Sequence, residues 1–397
     1  MAQSSITKRP LHSATYHTLS RCLLLWHNAQ TDSQSRNERH MIETSKIHRE
    51  ISRIGLQIKG LPDYWMGQAR RIRYDRLGSA ENTITEGSNP VAADMAILLV
   101  YQPRGLLESL FLQLEHLLSK GLGVVIVSNR KLSIHDRCRL SEYCHLIIER
   151  KNIGYDFGGY REGILALHKR SIRPKNLFVM NDSIWFPIRK DCDLIDRCRE
   201  SRSDIVGVFY NNKSKLRKNH HLQSYFYRFA GKILADSRFW GFWRKMPMYN
   251  DKRNVIRNLE IKSTEILKSM GFSISALYTP EDILGAFENI EDRNIVSVLK
   301  YYVSALEGGL NTFRGAYSNG SPKGGDFHAL RSAFPDNRFC YHFLDAHPEI
   351  LIRNLNSPII KKNRDKRFVA QRKAIIEEGF LREIDPVIQK ELINWDG

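Results

Sequence analysis

The chain has few cysteines and no long apolar run, and both absences limit the classes of protein to which it can belong. Six cysteines occur in 397 residues, and none forms a CxxC pair. This spacing indicates neither a zinc site nor a disulfide framework, so we expect reduced structural thiols. No stretch of about 18 or more apolar residues occurs, which argues against a membrane-spanning helix. The apolar stretch from Cys22 to Trp26 is too short for a signal-peptide core, so we expect a cytoplasmic protein.

Acidic residues are outnumbered by basic ones. Asp and Glu total 43 against 61 Lys and Arg, which gives a formal net charge of +18 at pH 7. Nucleic acid, anionic lipid headgroups and phosphorylated small substrates all fit such a charge. The cations are dispersed along the chain and the sequence carries no nucleic-acid-binding signature. We therefore expect no nucleic-acid partner, and a basic nucleic-acid-binding protein is kept as the alternative class.

The two ends of the chain are predicted to be extensions of a central domain. Residues 1–90 are predicted to form a basic, mainly helical N-terminal extension, and residues 291–397 a helical, basic C-terminal region. Within the first, residues 40–60 place apolar side chains at helical spacing with cations between them. Such a helix either packs on the next domain or lies on an anionic membrane surface, and the sequence leaves both interpretations open.

The central residues 91–290 alternate between apolar runs and helical stretches. Continuous apolar runs are typical of strands covered on both faces, and their alternation with helices predicts a parallel sheet with right-handed crossovers. The fold class is therefore α/β, a Rossmann-type, mostly parallel sheet flanked by helices, with helical N- and C-terminal extensions. Ligands of such sheets bind beyond the carboxyl ends of the strands. The predicted strands are 95–101, 123–129, 145–150, 176–183 and 204–209.

The loop after the third predicted strand combines glycines, cations, an amide and a carboxylate, and it opens a helix. Its candidate ligand-binding residues are Arg150, Asn152, Gly154 and Asp156. Glycine lets the backbone approach a ligand closely, and a helix N-terminus offers free N–H groups to anions. Asp156 can accept hydrogen bonds from ribose or sugar hydroxyls. The alternative is an ordinary tight turn in which Asp156 caps the helix.

The fourth predicted strand ends in a polar triplet, Asn181, Asp182 and Ser183. A carboxylate here can hold a divalent cation, Mg²⁺ or Mn²⁺, on a diphosphate, because such hard cations choose oxygen ligands and often keep only one or two protein carboxylates. The cation would neutralise charge on a departing diphosphate. Asp182 is thus the candidate metal ligand, and capping a helix is its alternative role.

A polar and aromatic segment follows the fifth predicted strand. His221, Gln223 and Ser224 are candidates for hydrogen bonds to a sugar or phosphate. His220 and His221 are adjacent, and neighbouring side chains point in different directions on a strand or helix, so joint metal ligation is not expected. The aromatic side chains of this segment are expected mostly in the core.

Five segments together carry a resemblance to a known family. They are VVIVSN (124–129), ERKNIGYDFGGYREG (149–163), VMNDSIWFP (179–187), DIVGV (204–208) and HLQSYF (221–226). In them the chain resembles the rhamnan synthesis F family of bacterial polysaccharide glycosyltransferases. The resemblance implies a GT-A-like fold and transfer of rhamnose or another deoxyhexose from a nucleotide-sugar, typically dTDP-rhamnose. The implied acceptor is a growing surface polysaccharide or a lipid-linked molecule at the inner face of the cytoplasmic membrane.

The resemblance also assigns residues by position. It places Asn152, Gly154, Asp156 and Asp182 in the donor-binding set. Asn181-Asp182-Ser183 stands where many GT-A enzymes carry Asp-x-Asp, so this chain departs from the usual pair of carboxylates. A lysine or arginine in place of the divalent cation is the alternative.

The candidate catalytic residues follow from the chemistry of sugar transfer. The reaction passes through an oxocarbenium-like transition state, and inversion needs one base that deprotonates the acceptor hydroxyl. Glu260, in a helical stretch, is the first candidate, and Asp282, at the start of another helix, is the second. A catalytically inactive scaffold that only binds the donor is a further alternative.

A cluster of basic residues lies near the end of the chain. It can meet a lipid pyrophosphate acceptor or the membrane surface, or it can belong to a solvated terminal helix. The sequence leaves both interpretations open. The cluster consists of Lys361, Lys362, Arg364, Lys366 and Arg367.

Overall fold

The structure is a computed structural model, and part of the chain is described here. The chain divides into two compact units, Met1–Pro62 and Asp63–Gly397, and everything that follows concerns the second. The helix predicted within residues 40–60 lies outside the described residues. The structure describes residues 61–212, 217–305, 317–318, 321–322 and 343–395.

A nine-stranded sheet forms the centre of the second unit. Its order is β1-β4-β3-β2-β5-β9-β7-β10, and β8 pairs with β7. Every pairing within the sheet that does not involve β1, β8 or β9 is parallel. The predicted α/β class with a mostly parallel sheet is confirmed. The strands are β1 (Thr83–Glu86), β2 (Asp94–Val100), β3 (Leu122–Ser128), β4 (Leu146–Glu149), β5 (Asn176–Asn181), β6 (Ile184–Trp185), β7 (Ile205–Asn211), β8 (His221–Leu222), β9 (Phe226–Ala230), β10 (Ile274–Tyr278), β11 (Tyr317–Ser318), β12 (Ser321–Pro322) and β13 (Ile360–Lys361).

The central strands are apolar because both faces of the sheet are covered. All seven residues of β2 and all seven of β3 are buried. Side chains alternate along β2, so that Leu98 belongs to one apolar cluster and Ile97 and Leu99 belong to the other. Each fully buried leucine or isoleucine contributes about 1.5–3 kcal/mol relative to exposure. Packing of this core therefore fixes where the carboxyl ends of the strands lie.

Helices cover both faces of the sheet. A π-helical turn, Ile256–Glu260, joins α8 to α9. Among the described residues, no helix is long and apolar enough to cross a membrane. The helices are 61–76 (α1), Glu108–Ser119 (α2), Ile134–Ser141 (α3), Tyr155–Lys169 (α4), Leu194–Glu200 (α5), Gly231–Leu234 (α6), Ser237–Lys245 (α7), Lys252–Val255 (α8), Ile261–Ser269 (α9), Pro280–Glu288 (α10), Asp292–Ala305 (α11), Lys366–Glu377 (α12) and Pro386–Asn394 (α13).

Four strands of the sheet, β1, β8, β9 and β10, were not predicted, and β9 lies inside the sheet. β9 runs antiparallel between β5 and β7, and it contains the aromatic run that follows the His221 segment. Its register pairs Tyr227 with Val179 and with Gly207. The hydrogen bonds of β9 are made to strands distant in the sequence, which the local pattern of aromatic residues does not reveal.

The C-terminal residues return to the carboxyl ends of the sheet. β13 pairs antiparallel with β6, which follows β5 directly. Glu391 of α13 accepts hydrogen bonds from the Ser109 amide, at 2.8 Å, and from the Trp185 indole N–H, at 2.7 Å. The C-terminal region therefore contributes to the edge of the sheet at which ligands are expected.

Candidate active site

The sheet changes its direction of winding between β2 and β5. From β2 the chain continues to β3 on one side, whereas β5 lies on the other side of β2. Crevices at such positions are where open α/β sheets bind ligands. Asp182, the residue after β5, lies in this crevice. Its Oδ2 accepts a hydrogen bond from the Tyr101 amide at 2.8 Å, and its own amide donates to the Leu99 carbonyl at 3.0 Å.

A second carboxylate reaches the crevice from α4. Gly154 is the N-cap of α4 with φ +81°, a conformation that glycine adopts without strain, and Asp156 lies in the first turn. The side-chain amide of Asn181 donates to Asp156 Oδ2 at 2.9 Å. The amide and hydroxyl of Ser183 both donate to Asn181 Oδ1. Asn181 therefore links Asp156 to the end of β5.

A third carboxylate, Glu260, comes from the π-helical turn before α9. Its Oε1 accepts a hydrogen bond from the Ser224 amide at 3.0 Å. The carbonyl of Ser224 in turn accepts from the Tyr160 hydroxyl of α4 at 2.8 Å. The charge of Glu260 also raises the pKa of Asp156. The segments 149–163 and 221–226 are thus brought together around Glu260.

Two lysines complete the cluster, Lys361 in β13 and Lys362 directly after it. Lys361 Nζ donates to Ser183 Oγ at 2.6 Å and lies 5.4 Å from the centre of the Tyr225 ring. Lys362 Nζ donates to Ser109 Oγ at 3.0 Å. Both lysines are only partly exposed. The crevice thus holds cations as well as carboxylates.

Burial shifts the pKa values of these groups. It raises the pKa of Asp156 to about 6; the positive charge of Lys361 opposes this shift, and the negative charges of Asp182 and Glu260 add to it. Burial also raises the pKa of Asp182, against the charge of Lys362 and the Tyr101 hydrogen bond. Burial lowers the pKa values of both lysines, against the nearby carboxylates. Perturbed values of this kind cluster at functional sites.

Arg150 and Asn152, two candidate ligand-binding residues of the loop before α4, differ in their exposure to solvent. Arg150 is buried beneath the loop, where its guanidinium donates to the Ile153 carbonyl at 2.6 Å and to Asn129 Oδ1 at 2.5 Å. These contacts shape the loop. Asn152 is exposed just before the helix.

His221 belongs to β8, and Gln223 directly follows this strand, just before Ser224. His221 is buried, and its Nδ1 is 2.8 Å from the Asn219 carbonyl. The Gln223 amide donates to the Phe209 carbonyl at 3.1 Å, and its buried Oε1 has no hydrogen-bond partner among the described residues. These hydrogen bonds of His221 and of the Gln223 backbone involve neither Asp156 nor Asp182.

Asp282 forms the capping box of α10. Its Oδ2 accepts from the Thr279 amide at 2.7 Å and from the Thr279 hydroxyl at 2.9 Å. The structure therefore brings Glu260, but not Asp282, into contact with the segments that surround Asp156.

The side chains at the crevice indicate which kind of metal ion would fit there. The described residues contain no group of three or more His, Cys, Asp or Glu side chains placed to hold a metal ion. Asp182 already accepts from the Tyr101 amide. A magnesium-type cation that keeps one or two protein carboxylates and takes its other ligands from a diphosphate would fit Asp182.

The C-terminal basic cluster divides into two parts. Lys361 lies in β13 and pairs with Ile184 of β6, whereas Lys366 and Arg367 lie in α12, so the terminal helix that was one interpretation contains only these last two. Arg364 donates to the Trp395 carbonyl at 2.9 Å, and Arg367 lies 3.1 Å from Asp345. Only the apolar pair Ile359-Ile360 could have indicated in the sequence that a strand, and not a helix, precedes Lys361 and Lys362.

The loop before α4 leaves no space for a side chain at Gly158. A Cβ there would lie 2.1 Å from the Ile153 carbonyl oxygen, which Arg150 holds in place. We expect Gly158→Ala to destabilise the protein by about 1–3 kcal/mol, the usual cost of overpacking. Gly241 of α7 is the matched control, since a Cβ there meets nothing within 4 Å. Urea unfolding of both variants measures the difference, and equal midpoints would contradict the tight packing.

Comparison with known proteins places the chain in a family. The family model described as rhamnan synthesis protein F matches residues 124–293. The uncharacterized protein y4gN of Sinorhizobium fredii is 81% identical over 96% of this chain and 99% of that protein. The virulence protein VirA of Vibrio anguillarum is 32% identical over 35% of this chain and 44% of its own length.

Solved glycosyltransferase structures show a weak overall likeness. The mannosyltransferase PcManGT from Pyrobaculum calidifontis, in complex with GDP-Man and Mn²⁺, is 10% identical, with a TM-score of 0.32 over 86% of this chain and 96% of that one. The mannosyltransferase Ktr4p from S. cerevisiae is 9% identical, with a TM-score of 0.25 over 41% of this chain and 63% of that one. The sequence relationships carry the assignment: the chain belongs to the rhamnan synthesis protein F family.

Proposed function

We propose that the protein is a glycosyltransferase that uses a nucleotide-sugar donor. The observation that carries the proposal is the crevice between β2 and β5, in which Asp156, Asp182, Lys361 and Lys362 are collected at the carboxyl ends of parallel strands. Such a crevice offers acceptors for sugar hydroxyls and cations for a diphosphate. Membership of the rhamnan synthesis protein F family supports the same function.

Each carboxylate has a proposed role in donor binding. Asp156, linked to Asn181, accepts hydrogen bonds from hydroxyl groups of the ribose or sugar. Asp182 holds a divalent cation, Mg²⁺ or Mn²⁺, which supplies positive charge to the diphosphate when it is bound. The exposed side chain of Asn152 lies just before α4, where an anion is favoured by the helix N-terminus. The Gly154 amide at the same place donates to Asn250 Oδ1 at 3.3 Å and would have to exchange this partner to bind an anion.

Glu260 is the proposed catalytic base. The Ser224 amide fixes one of its oxygens, and its charge acts on Asp156 and Lys361. A carboxylate so placed can take the proton of an acceptor hydroxyl while the bond from the anomeric carbon to the diphosphate breaks. Asp282 is the weaker candidate because its carboxylate caps α10.

The proposed substrates follow the family. The donor is dTDP-rhamnose or another nucleotide-linked deoxyhexose, and the acceptor is a growing surface polysaccharide, such as the O-antigen of lipopolysaccharide, or a lipid-linked molecule. The reaction would take place on the cytoplasmic side of the membrane, with the protein as a peripheral component.

One experiment tests the donor class and the base together. Purified protein is heated with dTDP-rhamnose, UDP-glucose, UDP-galactose and GDP-mannose, each with and without Mg²⁺ or Mn²⁺. A donor present at about 100 times its Kd stabilises the folded state by about 2.7 kcal/mol, so the correct donor raises Tm visibly. Glu260→Gln is expected to keep this shift and to lose at least about 100-fold in transfer rate.

Glu265 of α9 provides the control, because it is an exposed glutamate of the same helical segment. Glu265→Gln should retain both binding and transfer. Equal loss of donor binding and transfer in Glu260→Gln would reject the base assignment. Wild-type protein that binds a donor without any transfer would be a scaffold, and protein that binds only RNA or DNA would overturn the proposal.

A further inference from the structure

Lys361 in β13 and Lys362, the next residue, lie beside the residues that directly follow Asp182. The strand pairs with the residues that follow Asp182, with Lys361 opposite Ile184, and the Lys362 amide donates to the Ser183 carbonyl at 2.9 Å. Successive side chains of a strand point to opposite sides. Asp182 interacts electrostatically with Lys361 and with Lys362.

The two ammonium groups are desolvated without an ion pair. The hydrogen-bond partner of Lys361 Nζ is the Ser183 hydroxyl, and that of Lys362 Nζ is the Ser109 hydroxyl. Among the described residues, neither ammonium lies within 4.0 Å of a carboxylate oxygen. At longer range the charges of Asp156 and Glu260 act on Lys361, and those of Asp182 and Glu391 act on Lys362. An ammonium has three N–H donors, so each lysine retains donors for another acceptor.

Such an arrangement is costly unless a ligand uses it. Buried charges in proteins are ordinarily paired, because removing an ion from water costs several kcal/mol. The ammonium groups lie over the rings of Tyr225 and Trp185, 5.4 and 5.7 Å from the ring centres, and such cation–π contacts do not replace an ion pair. The missing partner is therefore an anion that enters the crevice.

We propose that Lys361 and Lys362 bind the two phosphates of the nucleotide-sugar donor next to Asp182. The inference rests on the proposed glycosyltransferase function and adds two residues to its site. In the reaction, the bond between the anomeric carbon and the β-phosphate oxygen breaks, and its electron pair leaves with the nucleoside diphosphate. The acceptor oxygen bonds to the anomeric carbon, and its proton passes to Glu260. The lysines stabilise the negative charge that develops on the departing diphosphate.

Binding of a nucleoside diphosphate to the full chain tests the proposal. Titration calorimetry with dTDP, UDP and GDP is carried out in EDTA and again in Mg²⁺. Wild-type protein is expected to bind one of them in EDTA, because the lysines provide positive charge without a cation. Lys361→Met and Lys362→Met are each expected to weaken this binding at least tenfold. Lys361→Arg, which keeps the charge, should bind more tightly than Lys361→Met.

Two controls distinguish ligand binding from a structural role. Lys373→Met replaces an exposed lysine of α12 and should bind as the wild type does. Without ligand, Lys361→Met should keep a cooperative urea unfolding transition, so that weaker binding in this variant reports the lost ammonium group and not unfolding.

Two results would reject the inference, and they are distinguishable. If the wild type binds only in Mg²⁺ and both methionine variants bind equally well there, the lysines do not bind the diphosphate, and the proposed function stands. If the wild type binds no nucleoside diphosphate in either condition, the proposed function fails together with the inference.

Discussion

Asp182→Asn is expected to lower kcat/KM for sugar transfer by at least about 100-fold. Preorganised positive charges at a developing anion are worth factors of about 10²–10³ each, and in the proposed function Asp182, which follows β5 where the sheet changes its direction of winding, holds the divalent cation that meets the diphosphate. The asparagine keeps the shape of the side chain and can still accept from the Tyr101 amide, so the fold should persist. Any loss therefore reports the charge. Steady-state rates with the donor identified by thermal shift measure it.

Asp191→Asn is the matched control for this substitution. Asp191 is an exposed aspartate whose side chain lies 3.5 Å from Arg189, away from the crevice. It should retain wild-type rates. Transfer by Asp182→Asn within fivefold of the wild type would contradict the role of its charge.

Asp156→Asn is expected to make the protein more stable at neutral pH while it impairs donor binding. The pKa of Asp156 is about 6 in the folded protein, against 3.8 for the free side chain, chiefly because of burial. Between these two values the folded state holds a proton that the unfolded state has lost, so native stability falls as pH rises through this window. Above pH 6 this loss of native stability, the deficit caused by burying the charged carboxylate, is present in full. One pKa unit corresponds to about 1.4 kcal/mol, so the deficit is up to about 3 kcal/mol.

Asparagine at position 156 carries no charge and removes that deficit. It can still accept the hydrogen bond from Asn181. The free energy of unfolding of Asp156→Asn should exceed that of the wild type at pH 8, and the difference should shrink as pH falls from 6 towards 3.8. Urea unfolding at pH 8, 6 and 4.5 measures this, with Asp191→Asn as a variant for which no such trend is expected. A variant less stable than the wild type at pH 8 would contradict the burial of Asp156.

The core of the fold follows from local sequence because its strands are apolar throughout. The predicted runs 95–101 and 123–129 correspond to β2 and β3 within one residue, since seven consecutive buried residues leave a clear pattern. β9 does not follow in this way. Arg228 interrupts its aromatic residues, so β9 lacks a continuous apolar run, and only pairing with β5 and β7 makes it a strand.

The residues around the crevice likewise divide into those that the local sequence suggests and those that it does not. The rule that ligands bind at the carboxyl ends of strands makes Asp156 and Asp182 candidates from the sequence alone. Nothing in the segment SPIIKKN predicts that Lys361 meets Ser183, because that contact joins residues 178 positions apart through a two-residue strand. The role of Arg150 was also beyond the sequence, since a cation in a ligand-binding loop and a cation beneath it have the same local pattern.

The pairing of β13 with β6 has a consequence for the biosynthesis of the protein. The ribosome makes Lys361 178 residues after Ser183, which at about 5–20 residues per second is roughly 10–40 seconds later. During that time the strands of the sheet can assemble, but the crevice has its carboxylates without its lysines. A chain released early by a premature stop codon would therefore carry a nearly complete sheet and an incomplete site. The site is therefore complete only after the C-terminal residues have been translated.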